Sequence, residues 1–134
     1  MSASFFDSNV LLYMASADTV KADRAEEIVV AGGAISVQVL NELTNVTRRK
    51  MQFSWQETRE FLSTLRDLLP VHPLTSEIHG TGLELAERYG LAIYDAMIAA
   101  SAIHAECQIL WSEDMQHGMM LDKGLRILNP FRPD

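Results

Sequence analysis

Apolar residues recur along this chain at two spacings, and the switches between them mark out short strands alternating with helices. Residues 3–6 read as a strand that stops at Asp7, and 9–15 as the helix after it. Over 18–30, Ala22, Ala25, Ile28 and Val29 fall on one helical face, and Gly32 and Gly33 end the run. A second strand at 34–36 leads into a helix at 37–50 whose core stripe is Val39, Leu43 and Val46. Ser54 followed by Glu57 predicts a reciprocal cap for a helix carrying Phe61, Leu62, Leu65 and Leu68 on one stripe. Residues 69–72, bounded by Pro70 and Pro73, form a third strand, and Thr75 caps a helix that runs to about Tyr89 and ends at Gly90. An apolar, alanine-rich helix covers 93–106. A fourth strand lies at 108–111 and a fifth at 125–128, after Gly124.

Strands separated by helices predict parallel pairing, because parallel neighbours need crossover connections that then cover both faces of the sheet. The expected fold is α/β: three layers, helices on either side of a central parallel sheet of about five short strands, in one domain over 1–134. Such sheets bind ligands beyond the carboxyl ends of their strands. Asp7 follows the first strand, and Glu113 and Asp114 follow the fourth. Acids therefore occupy the expected place of a site.

The composition narrows the classes. With 134 residues, 48% of them hydrophobic, the chain can bury one sizeable core and is neither disordered nor fibrous. No apolar run approaches the roughly 20 residues of a membrane span, and the first residues lack the basic-then-apolar order of a signal peptide. The one cysteine, Cys107, excludes an intrachain disulfide, suits a reducing cytoplasm and reads as a small buried residue. A net charge of −7 is the wrong sign for binding nucleic acid through the chain's own surface. If nucleic acid is the partner, a cation held by gathered acids has to offset that charge.

Four acids carry the candidate chemistry. Asp7 ends a strand, where it can equally cap the next helix, and Asn9 has the same two readings: cap, or support for a carboxylate. Glu42 lies next to the core stripe of its helix rather than opposite it, and gains meaning only if other carboxylates converge on it. Asp95 stands among apolar and small residues, and burial there predicts a carboxylate needing a partner or a metal. A first-turn aspartate favoured by the helix dipole is the plainer alternative. Asp114 lies just past the fourth strand with Glu113 as competing acid, and Ser112 can bond a carboxylate, a water or a phosphate oxygen. Arg48, Arg49 and Lys50 close a helix, where cations favour its dipole and could also meet an RNA backbone. The four histidines show no metal-ligand spacing.

Taken in order, Asp7-Ser-Asn9 after an N-terminal strand, Glu42 after a strand end at Ser36, Tyr94-Asp95-Ala-Met-Ile-Ala-Ala, and Ser112-Glu-Asp114 after a strand resemble the PIN-domain family. Within it the resemblance is greatest to VapC-type toxins of bacterial toxin–antitoxin pairs, and it spans nearly the whole chain, the Leu125-Arg-Ile-Leu-Asn-Pro tail matching the family's last strand. It implies a metal-dependent endoribonuclease using Mg²⁺ or Mn²⁺, with Asp7 and Asp95 as principal ligands. Glu42 and Asp114 would complete the pocket, with Asn9 and Ser112 in support. Hard oxygen donors suit such cations, which activate water and neutralise phosphate charge. Many relatives carry Thr and then a small or amide residue where this chain has Ser112-Glu113, which leaves Glu113 and Asp114 both open as the fourth acid. The resemblance also implies a homodimer and a cognate antitoxin that covers the pocket and does any DNA binding. A catalytically silent PIN-like binding module is the alternative, as is another aspartate- and Mg²⁺-dependent phosphate enzyme. A haloacid-dehalogenase-type phosphatase, however, wants an aspartate where Asn9 stands, and a receiver domain wants paired N-terminal acids.

Overall fold

The computed structural model describes residues 3–132. Five strands run parallel: β1 (Ser4–Phe6), β2 (Ile35–Ser36), β3 (Val71–His72), β4 (Ile109–Trp111) and β5 (Arg126–Leu128). β4 lies between β1 and β5, with Phe5 opposite Leu110 and Leu110 opposite Ile127, while β2 pairs with β3. The two sets meet at a parallel bridge between Phe5 and Ala34. There the Phe6 amide donates to the Ala34 carbonyl at 3.1 Å and the Ala34 amide to the Ser4 carbonyl at 3.0 Å. The spatial order is β3-β2-β1-β4-β5. The chain builds outward from β1 on one side, then crosses to the other, so the order switches beside β1. That is where open α/β sheets leave a crevice.

Six α-helices flank this sheet: α1 (Ser8–Leu12), α2 (Thr19–Val30), α3 (Val37–Arg49), α4 (Trp55–Leu68), α5 (Ser76–Tyr89) and α6 (Ile93–His104). Adjacent strand residues point to opposite faces, and Phe5 and Phe6 are both fully buried, as a sheet covered on two sides requires. The core continues through Leu11, Ile35, Leu43, Leu65, Leu85, Ile98, Leu110 and Ile127. The ends of the helices follow the capping residues. Ser36 accepts from the Val39 amide at 3.3 Å, Ser54 and Glu57 exchange both bonds of a reciprocal cap, and Thr75 accepts from the Ile78 amide. Gly90 ends α5 in the left-handed conformation, φ 69°, open to a residue with no Cβ.

Three expectations change in detail. The helix expected over 9–15 is α1 followed by a separate 3-10 turn, Tyr13–Ala15. The strand expected at 69–72 is only Val71–His72: Leu69 caps α4 and Pro70 has no amide to give a ladder. Leu68, assigned to the apolar stripe of α4, is exposed, because the helix turns its Leu65 face and not its last turn to the core. Among the described residues no helix is long and apolar enough to cross a membrane.

One close approach gives the fold a sharp test. A Cβ on Gly33 would lie 2.4 Å from the Phe6 ring and 2.7 Å from the Ser4 carbonyl oxygen, at the junction of β1 and β2. Gly33→Ala should lower the unfolding free energy by roughly 1–3 kcal/mol in urea denaturation. Gly82→Ala should lose less, because its Cβ meets the flexible end of Met97. Equal stability of parent and Gly33→Ala chains would contradict this junction.

Candidate active site

The acids gather at the carboxyl edge of the sheet, where β1 and β4 end side by side. Phe6 is in register with Trp111, and the Asp7 amide donates to the Trp111 carbonyl at 2.9 Å. Asp7 is thus the first residue past β1 and also the N-cap of α1, its Oδ1 accepting from the Ser8 amide at 2.7 Å. The cap reading of Asp7 holds, and the cap leaves its carboxylate at the strand end among the other acids. Only 2% of it is exposed.

Neighbours fix each acid. Ser112 donates its hydroxyl to Asp7 Oδ2 at 2.8 Å, and its own oxygen accepts from the Met115 amide at 3.2 Å. Asn9 spans the same gap: Nδ2 donates to Asp7 Oδ2 at 3.1 Å, and Oδ1 accepts from the Glu113 amide at 3.0 Å. The two supporting residues are therefore in contact with the acid they were expected to support. Glu42 reaches the site from α3, where Ser8 donates to its Oε1 at 2.7 Å and Gln38 to its Oε2 at 3.1 Å. Ser8 and Gln38 were missed by sequence reasoning. The position of Ser8 between two named residues was its only signal, and Gln38 shows itself only as the residue one helical turn before Glu42.

Asp95 needs a correction. Its apolar neighbours in sequence predict burial, but α6 begins at Ile93, as expected, and Asp95 lies in the first turn, the plainer of its two readings. Ile93 and Tyr94 are exposed, Asp95 is half-buried, and continuous burial starts only at Ala96. The helix dipole favours its charge there. Even so, its carboxyl is pushed above the ordinary range by burial and by the charges of Glu42 and Asp114. Asp7 is pushed up to about 6, mainly by burial, with a hydrogen bond from Ser112 opposing and the charges of Asp95 and Glu42 adding to the rise. Asp7 thus lies in the field of Glu42 and Asp95, and Asp95 in that of Glu42 and Asp114.

The two adjacent acids after β4 part company. Glu113 forms an ion pair with Lys21 of α2 at 2.6 Å and accepts from the Tyr13 hydroxyl at 2.6 Å. Against the upward push of burial, those bonds hold its carboxyl below the ordinary range. Asp114 is exposed and contributes to the field at Asp95. Of the basic cluster, Arg48 donates to the Phe53 carbonyl at 2.6 Å and lies 4.3 Å from the centre of the Trp55 ring, while Arg49 and Lys50 are exposed. Cys107 is buried with its thiol pushed up by burial, which suits packing rather than a nucleophile.

The donor set fits a hard divalent cation. Every candidate group offers oxygen, and the buried Asp7 charge next to two more carboxylates calls for a positive counter-charge. Among the described residues no three His, Cys, Asp or Glu side chains form a ready metal cage. Mg²⁺ does not require one, since it keeps several waters and binds through one or two carboxylates plus a substrate phosphate.

A parallel α/β sheet with acids collected at its switch point places the molecule among small α/β proteins with an acidic edge where such sheets bind ligands. The family model of the PIN domain matches residues 4–117, and the chain belongs to the PIN-domain family. No curated protein sequence matches it. Solved structures share the fold. A toxin–antitoxin complex from Klebsiella pneumoniae is 18% identical with a TM-score of 0.74, over 96% of this chain and 98% of that one. The sarcin–ricin-loop-cleaving VapC toxin of Mycobacterium tuberculosis is 17% identical with a TM-score of 0.67, over 84% of this chain and 90% of that one. A VapBC complex of Rickettsia felis, bound to a fragment of promoter DNA, is 21% identical with a TM-score of 0.68, over 95% of this chain and 98% of that one. At these identities the likeness is one of fold.

Proposed function

We propose that this chain is a single-domain, metal-dependent endoribonuclease acting as the toxin of a type II toxin–antitoxin pair in the cytoplasm. The observation that carries the reading is Asp7, almost fully buried at the carboxyl end of β1 and in the field of Glu42 and Asp95. Membership of the PIN-domain family and the toxin–antitoxin neighbours support it.

Asp7 and Asp95 would hold Mg²⁺ or Mn²⁺, with Glu42 and Asp114 completing the pocket directly or through water. The cation, when bound, makes a hydroxide available near neutral pH and offsets charge on the scissile phosphate. The chain's own residues do the rest. Ser112, Asn9 and the Ser8 amide hold both oxygens of Asp7, so that it meets a ligand in one orientation. Ser8 and Gln38 do the same for Glu42. Asp95, in the first turn of α6 and in the field of Glu42 and Asp114, would supply the second ligand. Asp114 is the fourth acid in this reading, because Glu113 is engaged with Lys21 and Tyr13. Arg49 and Lys50 are the free members of the basic cluster for an RNA backbone.

The protein is expected as a homodimer that co-purifies with a small antitoxin, DNA contact belonging to that partner. The Rickettsia felis neighbour is bound to DNA as a complex. Co-expression with the adjacent small gene, followed by light scattering, tests this. A lone monomer with no bound partner under all conditions contradicts it.

A further inference from the structure

An open groove runs along α3 beside the acids, lined by Gln38, Asn41, Glu42, Asn45 and Tyr94. Its chemistry differs from that of the acidic pocket it adjoins. Three of its side chains are carboxamides, and its one charge is Glu42, which it shares with the acids. Asn41 and Asn45 are exposed, and Tyr94 leaves 63% of its surface in water immediately before Asp95. Positions 38, 41, 42, 45 and 49 recur three or four apart, so these residues form one stripe along the helix. The stripe passes from the carboxylate of Glu42, through the amides, to the cation of Arg49 one turn beyond Asn45.

Each step of that stripe suits a different part of a nucleotide. A carboxamide presents a donor and an acceptor side by side, matching the edge of a base. An exposed flat ring offers a stacking face of the kind that single-stranded nucleic acid uses. A guanidinium takes a phosphate. With no aliphatic residue in its lining the groove suits a hydrophobic peptide side chain poorly, and without a cation of its own it does not suit a phosphate.

We infer that this groove is the subsite for the base next to the scissile phosphodiester: the base stacks on Tyr94, Asn41 and Asn45 read its edge, and Arg49 meets the phosphate beyond it. The inference rests on the nuclease reading and requires the flanking base to be unpaired, since it is stacked and read on its edge.

The test separates the groove from the acids. In the full chain, with Ca²⁺ in place of Mg²⁺ to hold cleavage back, binding of a labelled single-stranded RNA decamer is measured by anisotropy. The quenching of 2-aminopurine placed in that RNA reports stacking. Adding Tyr94→Leu should weaken binding about tenfold and abolish the quenching, and Tyr94→Phe should retain both. In otherwise unaltered chains, Asn41→Asp and Asn45→Asp should change which base flanks the cleaved bond. Equal affinity and quenching with Tyr94→Leu, or no RNA binding at all, overturns the subsite. So does a Tyr94→Leu chain that keeps RNA binding but loses the antitoxin, which would make the groove a protein-docking face. Undiminished cleavage in a folded Asp95→Asn chain overturns the assignment of the acids, separately from the groove.

Discussion

Asp95→Asn should lower Mg²⁺-dependent cleavage of single-stranded RNA by about a thousandfold or more while the chain still folds, on the scale seen when one electrostatic element of a site is removed. The substitution keeps shape and removes a charge that burial, Glu42 and Asp114 already disfavour, so stability should hold or rise slightly. Asp7→Asn should lose as much activity, with a different structural consequence. Its Oδ2 accepts from both Ser112 and Asn9, and an amide nitrogen there would set donor against donor. Asn9 cannot turn round freely, since its Oδ1 accepts from the Glu113 amide. Initial cleavage rates and thermal unfolding of the two variants check both statements. Undiminished cleavage in folded Asp95→Asn protein would mean that the activity belongs to a contaminating nuclease or to other residues.

The second large effect is a dependence of stability on pH. Folding raises the Asp7 carboxyl from 3.8 to about 6. Between those values the folded chain keeps a proton that the unfolded chain has released, so the contribution of Asp7 is favourable in acid and is lost as pH rises through about 6. At pH 7.5 the ionised, metal-free group costs about 3 kcal/mol. Glu113 and Asp122 carry lowered carboxyls and act oppositely, losing stabilisation as pH falls through the carboxylate range. Comparing the parent with Asp7→Asn isolates the one group. Between pH 4 and 7.5 their difference in unfolding free energy should move by about 2.4 kcal/mol in favour of the variant. A divalent cation at a hundredfold excess over its Kd should restore about 2.7 kcal/mol to the parent at pH 7.5 and much less at pH 5. Parallel pH profiles for the two chains in urea denaturation would contradict the burial of this charge.

Much of this arrangement was legible in the sequence, because short polar signals sat where the backbone needed them. Ser54 with Glu57, Thr75 and Gly90 each lie at a helix end, and their side chains or conformational freedom satisfy groups the helix leaves open. The rule that parallel sheets carry ligands past their strand ends led to Asp7 and to the acids after β4 without any knowledge of distance. Two things were hidden. The helix start at Ile93 and the first-turn reading of Asp95 were open to view, but with no capping side chain at Ala92 nothing showed that Ile93 and Tyr94 stay exposed and leave Asp95 half-buried. The choice between Glu113 and Asp114 depends on Lys21 and Tyr13, about a hundred residues earlier, and no local pattern encodes a contact of that range. The hydrogen bond between Ser8 and Glu42, 34 residues apart, is of the same kind.

Crystals of the chain soaked in Mn²⁺ and measured at the manganese absorption edge test the central claim most directly. The account predicts one or two anomalous peaks touching the carboxylates of Asp7 and Asp95, with Glu42 and Asp114 close around them, and loss of those peaks in Asp7→Asn crystals. Manganese seated elsewhere, or none at saturating concentration with both carboxylates free to bind it, would contradict the account.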